Sequence, residues 1–535
     1  MKRLFTGGPI YTMNAPGEIV EAVVVSGDRI LATGPFASLK ATYAVKNDEM
    51  IDLEGHTMYP GFVDSHLHMI GYGESLLRLD LSAETSSRDV IQVLIREMEG
   101  LQSEWLIADG LNENNWKDRQ MMSIETLDAI SPYHPIVLHR ICKHAMLVNA
   151  ETLRRAGIDA ETPDPPGGVI GRFGDGRLNG WLYDGAQEVV KQLMPQADQM
   201  YLDRALRASV SKLLSFGLTG GHTEDLAYYQ GMYPTLSSFK RVIDGERLSF
   251  RTQLLINHLC MDERDRFDGF ADARELLEWG AIKLFADGSF GGRTAWLSHP
   301  YDDDKMTSGV KIHTNDALEQ IICRARAIDK TVAIHAIGDA ALAIVLDLLE
   351  KHPPNVGDQD RIIHASYASK RLIEKMAQLP IALDIQPQFV VSDFPWILDR
   401  LGERANLLYP WKTYEKHGLR LAGGSDAPIE TPDPRLGIYA AIARKKRSAV
   451  HNGYFPAEKL SMFEAISLYT TGSAWISGHA NSRGRIAEGF VADFSIFEQD
   501  FFALEETPEA ILDNAVSQTI VSGKTQYKQT SPNRN

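Results

Sequence analysis

The stretch TVAIHAIGDAALAIVLDLLEKHPPNVGDQDRIIHAS, residues 331–366, carries the pattern from which the fold is read. It opens on a short apolar run that stops at His335. A helix-period stretch, ALAIVLDLLEKH, follows, and a second apolar run, RIIH, stops at His364. Strand, helix, strand in that order is a βαβ unit, whose strands lie parallel. The same texture extends in both directions. Strands are expected over Met58–His66, Leu218–Thr223, Thr252–Asn257, Ala281–Phe285, Thr331–His335, Arg361–His364, Ile381–Ile385 and Arg420–Gly424, with helical stretches such as LEQIICRARAID and KRLIEKMAQ between them. Eight strands alternating with helices predict an α/β fold, a (β/α)8 barrel over residues 58–70 and 200–484, rather than an open sheet.

The spacing breaks once. Residues 71–199 are too many for a loop and carry strand and hairpin signals of their own, HPIVLHR and GGVIGRFGDGRLNGWL, with Asp175-Gly176 at the turn. They read as an inserted subdomain near the barrel mouth. A domain beside the barrel with no part in the site is the alternative. The two ends share a third texture. Residues 1–57 hold EIVEAVVVSGDRILATG, turning at Gly27-Asp28. Residues 485–528 hold GRIAEGFVADFSIFEQD and AVSQTIVSGKTQY, turning at Ser522-Gly523. Termini often lie close together, so both ends are assigned to one small β domain.

Composition narrows the class. The chain has 535 residues, 44% hydrophobic and 24% charged, which excludes a disordered or fibrous protein. Its 55 basic and 71 acidic residues give −16, a poor match for a phosphate backbone, so no nucleic-acid partner is expected. Cys142, Cys260 and Cys323 form no CxxC and read as free thiols of a reducing compartment. MKRLFTGGPIYTMN has no apolar core of a signal peptide, and no apolar run is long enough to span a bilayer. A cytoplasmic protein without a membrane partner is expected. The edges of the terminal β domain leave a homodimer open.

The chemistry lies at the strand ends. His66 and His68 finish the first strand in YPGFVDSHLHM, and residues i and i+2 of a strand point the same way. Two such imidazoles can bite one cation, zinc or a neighbour of zinc. His335 closes the fifth strand, His364 the sixth, and Asp426 follows the eighth in LAGGSDAP. Functional groups of barrels collect at that end, and five metal-binding side chains converging there are hard to explain as packing. Lys283 sits inside the fourth strand, AIKLFADG, among apolar residues. A buried lysine is costly unless paired or neutralised. A lowered pKa makes its amine nucleophilic, able to take up carbon dioxide as a carbamate that bridges two metals. A plain ion pair with Asp287 is the alternative.

With these residues assembled, the chain resembles the amidohydrolase superfamily, and within it the YtcJ-like group that includes N-substituted formamide deformylases. PGFVDSHLH, IKLFADGSFGGRTA, AIHAIGDAA, RIIHAS, GGSDAPIE and GRIAEGFVADFSIF carry the likeness over nearly the whole chain. The resemblance implies a metal-dependent hydrolase barrel with a β-sandwich built from both termini. It implies His66, His68, His335, His364 and Asp426 as metal ligands, with Lys283 at the place of the carbamylated lysine of a binuclear centre. Two zinc ions are expected, with iron or manganese as substitutes.

The expected reaction is hydrolysis of a C–N bond in a small amide, N-formyl or N-acyl substrate. A metal-activated hydroxide attacks, and Asp426 serves as base and then acid. A mononuclear deaminase of a heterocycle is the second reading. It commonly places a glutamate after the fifth strand, where this chain offers only Asp339. A non-catalytic module of the same fold is the third, but it would have lost ligands. GxSxG, HExxH and GxxxxGK[ST] are all missing from the sequence. Arg293 in GGRTAW, Trp116 in NENNWKD and His144 in KHAMLVN are candidate substrate contacts, and His222 in GGHTED reads as a core or supporting histidine.

Overall fold

A computed structural model of the chain describes residues 2–101, 104–113, 116–118, 122–140, 145–165, 168–195, 197–229, 231–246, 248–267 and 276–529. The chain divides into two compact units, Met1–Gly73 with Leu202–Asn535, and Glu74–Tyr201.

The first unit is built on eight parallel strands: β1 Phe62–Leu67, β2 Leu218–Thr223, β3 Arg251–Asn257, β4 Leu277–Phe285, β5 Val332–Ala336, β6 Asp360–His364, β7 Ile381–Ile385 and β8 Arg420–Gly423. Each pairs with the next in chain order. The sheet curls into a nearly closed barrel. Among the described residues, β1 and β8 share no strand ladder. Their seam is bridged instead by the turn after β8: Asp426 N donates to the His66 carbonyl at 2.7 Å and His68 N to the Ala427 carbonyl at 2.8 Å.

Helices follow the strands as the periodicity predicts. Asn315–Ala327 buries Leu318, Ile321, Ile322 and Ala325, the i, i+3, i+4, i+7 stripe, and starts where Thr314 Oγ1 accepts from Ala317 N at 3.2 Å. Asp339–Lys351 and Lys370–Met376 follow β5 and β6.

Two expected strands are corrected. Met58–His66 is two strands, not one. Thr57–Pro60 pairs with Phe494–Phe497, and only Phe62–Leu67 enters the barrel. The break is at Gly61, where a Cβ would lie 2.3 Å from Thr219 Oγ1, so only glycine lets the chain change sheets there. β4 begins four residues before the expected Ala281, at Leu277. Its polar Glu278 is satisfied by His479 at 2.6 Å and Arg483 at 3.0 Å, so the strand extends through a charge that sequence reading takes for its end.

Two further sheets complete this unit. One joins Arg29–Gly34, Ala22–Ser26, Lys2–Thr6 and Met50–Asp52; the other joins Lys524–Lys528, Val516–Val521, Phe494–Phe497, Thr57–Pro60, Ile10–Tyr11 and Ile19–Val20. Phe5, Ile10, Val23, Met58, Phe494, Ile496 and Ile520 form one core, with Phe5 edge-on to Phe494 at 5.4 Å. Burial of each such side chain contributes about 1.5–3 kcal/mol. The second of these sheets thus takes strands from both ends of the chain.

The second unit is a six-stranded sheet in the order Gly168–Arg172, Leu178–Asp184, Ala145–Val148, Ile136–Arg140, Leu106–Leu111 and Leu79–Asp80. The expected hairpin turns at Gly176, whose φ of 90° needs glycine. No helix among the described residues is long and apolar enough to cross a membrane. Cys260 is buried and Cys323 exposed, both as free thiols; Cys142 lies outside the described residues.

Candidate metal centre

β1 delivers His66, which is 1% exposed, and releases His68 just past its end. The turn after β8 comes close enough to meet them because residue 424 is glycine: a Cβ there would lie 2.6 Å from His66 N. Asp64 fastens the same place, accepting from His66 N at 3.0 Å and Ser425 N at 3.2 Å. Asp426, with φ of 57°, turns its Oδ1 to 3.4 Å from Nε2 of both His66 and His68. One donor atom from each of the three residues lies within 4.8 Å of the others.

His335 and His364 stand beside this group. His364 Nε2 is 3.0 Å from His335 Nδ1. Their outer nitrogens face carbonyls: His335 Nε2 donates to Gly288 O at 3.1 Å, and His364 Nδ1 donates to Gln386 Oε1 at 2.6 Å. His68 Nδ1 likewise donates to the Glu224 carbonyl at 2.5 Å. A carbonyl only accepts, so the proton of each neutral ring sits on the outer nitrogen. The inner nitrogens of His335 and His364 present lone pairs. Burial holds the His335 pKa well below the ordinary imidazole value and pushes His364 down to about 4, so both rings are neutral near pH 7. Two imidazole lone pairs 3.0 Å apart repel unless a cation shares them. The donor set therefore fits metal ions, which require neutral imidazole.

His68 differs from these two rings. Burial draws its pKa down, but Asp426 and Glu224 outweigh it and hold the ring at about 9, so near pH 7 it carries a second proton that a metal ion would have to displace. Burial works against the Asp426 charge, and His68 with the other imidazoles more than restores it, keeping the carboxylate below its usual range. Lys283 is 1% exposed, with Nζ 3.3 Å from His66 Nε2 and 4.2 Å from the Phe285 ring centre. Burial lowers its pKa. The alternative pairing with Asp287 is not present. β4 ends at Phe285, and the Asp287 carboxylate accepts from backbone N–H groups of Trp296 at 2.8 Å, Ile337 at 3.0 Å and Gly338 at 2.8 Å.

Comparison with known proteins places this arrangement. The sequence profile described as the Amidohydrolase family matches residues 49–527. The protein named as amidohydrolase YtcJ in Bacillus subtilis is 44% identical over 532 residues, 99% of this chain and 100% of that one. The chain belongs to the amidohydrolase family. N-substituted formamide deformylase of Arthrobacter pascens is 26% identical over 549 residues, covering 97% of this amidohydrolase and 97% of the deformylase. Crystal structures of uncharacterized metal-dependent hydrolases from Pyrococcus furiosus and Pyrococcus horikoshii superpose with TM-scores of 0.77 and 0.79. Both are 27% identical, covering 94% and 95% of this chain and 100% and 99% of theirs. This amidohydrolase is a metal-dependent hydrolase.

Arg293 forks onto Asp303, Nε at 3.2 Å and Nη2 at 2.9 Å, on the loop after β4. Trp116 is buried in the core of the second unit with Leu94, Leu138 and Trp181. His144 lies outside the described residues. His222 is buried on β2. Three residues of the amidohydrolase site escaped the reading of the sequence. Glu224 and Gln386 each stand one residue beyond a barrel strand, β2 and β7, where the strand-end rule could have found them. Asp64 lay within the first histidine motif itself.

Proposed function

We propose that this amidohydrolase hydrolyses the C–N bond of an N-formyl or N-acyl small molecule at a binuclear centre. His66, His68 and Asp426 would hold one divalent ion and His335 and His364 the other, and a carbamate on Lys283 would supply a further anionic ligand. Zinc is the expected metal, with iron or manganese as substitutes. The observation that carries the reading is the pair of inward lone pairs on the neutral rings of His335 and His364, each fixed by a carbonyl behind the ring, beside the His66, His68 and Asp426 donor group. Divalent ions held there would polarise a carbonyl and lower the pKa of water to about 7.

The chain's own groups supply the rest. Burial lowers the Lys283 pKa, which favours the free amine; that amine would add to carbon dioxide and release one proton as the carbamate forms. Asp426 is ionised and a weak base, adequate for a water already acidified. Its conjugate acid is correspondingly strong and gives the proton up readily to the departing nitrogen. The likeness to N-substituted formamide deformylase supports an N-formyl substrate.

Elemental analysis of protein expressed with zinc and bicarbonate tests the centre, and amine release from N-formyl and N-acyl amides tests the reaction. Two equivalents per chain and amine release are expected. One equivalent with ammonia release from a heterocycle would replace this reading by the deaminase. A chain that takes up no divalent metal would overturn it.

A further inference from the structure

We infer that Gln386 is a positioning residue: it sets the tautomer of His364 and thereby the affinity of the ion site that His364 shares with His335. The inference rests on the binuclear reading above.

Gln386 is 3% exposed and stands one residue beyond β7. Its amide has one workable orientation. Nε2 donates to the Asp384 carbonyl at 3.1 Å, which leaves Oε1 at 2.6 Å from His364 Nδ1. Rotating the amide by half a turn would set oxygen against oxygen at Asp384 and lose the acceptor at the ring. The Asp384 carbonyl therefore dictates, through Gln386, that Nδ1 of His364 carries the proton. Free histidine side chains prefer the opposite tautomer, with the proton on Nε2. In that form the nitrogen facing His335 Nδ1 would be blocked as a ligand. Gln386 inverts the intrinsic preference at this ring. His364 sits at φ of 75° and Ala365 at 44°, outside the usual strand region. Phe389 stacks on the ring at 5.9 Å and 14°, while His66 and His335 meet it edge-on. His335 obtains the same service from the Gly288 carbonyl, which no substitution can remove.

The test uses the full-length protein and zinc alone as ligand. In Q386M, which keeps the volume and loses the acceptor, the second zinc equivalent should bind 10–100-fold more weakly. The first should be unchanged, because His66, His68 and Asp426 do not touch Gln386. Selective ¹⁵N-histidine labelling, with H364N for assignment, should show His364 moving from the Nδ1–H to the Nε2–H pattern in apo Q386M. Q386E keeps an acceptor and should retain both the Nδ1–H pattern and the second affinity. It decides the matter alone if Q386M does not fold, and a loosened second site in Q386E would then overturn the inference. Equal weakening of both equivalents in Q386M, or an unmoved tautomer signal, would also overturn it. Failure of the binuclear reading shows separately, as a single equivalent in the wild type, and the apo tautomer signal still judges Gln386.

Discussion

Asp426 touches both histidines of β1 and is the one carboxylate in the converging donor set. D426N keeps the shape and removes the proton acceptor, so kcat should fall by about 10²–10⁴-fold in steady-state assays of amine release. K283M should lose any activation by bicarbonate that the wild type shows, measured on metal-stripped protein reloaded with zinc. A third residue reports through stability. Burial pushes the Asp393 carboxyl from 3.8 up to about 7, although the Tyr409 hydroxyl donates to it. Between those values the folded chain holds a proton that the unfolded chain has released. Stability contributed by this group therefore declines as pH rises from about 4 to about 7. D393N should flatten that part of the melting temperature against pH, read by thermal unfolding in the same buffers. The side chains that converge at the candidate centre were legible because each is a strongly polar group at the exit of an apolar strand. Arg293 was not legible as the partner of Asp303: both lie on a loop without periodicity, and nothing in spacing announces an ion pair there.

Elements were read well where hydrophobic periodicity governs them. β2 and β7 have the expected bounds, and β3, β5, β6 and β8 differ by one residue at one end or both. The exceptions have local causes, Gly61 where the chain changes sheets and Glu278 where an ion pair replaces an apolar residue. The loop from β4 to the helix at Asn315 was opaque, since its order comes from Asp287 and from close backbone packing rather than from pattern. Gly338, at the start of the helix after β5, shows how close: a Cβ there would lie 2.1 Å from the Trp296 carbonyl oxygen. G338A should push loop and helix apart and cost about 1–3 kcal/mol, seen as a lower melting temperature. Because Gly338 N also donates to Asp287, which lies 3.6 Å from His335, the same substitution should weaken zinc binding.

At the scale of the molecule, the architecture was legible from the alternation of strands and helices, whereas the pairing of distant segments was not. No local signal says that Thr57–Pro60 will lie against Phe494–Phe497. The proposed metal centre takes His66 and His68 from one side of the barrel seam and Asp426 from the other, so metal should stabilise the whole fold and not the site alone. A ligand at 100 times its Kd adds about 2.7 kcal/mol. Chelation should lower the calorimetric melting temperature of the intact chain, and zinc should restore it.

The seam also fixes when the protein becomes an enzyme. His66 and His68 are made early in synthesis, and Asp426, which must meet them, emerges only after seven further barrel strands. A stalled or truncated chain can therefore hold strands, helices and four of the histidines and still lack a working centre. Activity is therefore expected only once Asp426 and the turn after β8 have been made, and a chain stalled before β8 should be inactive.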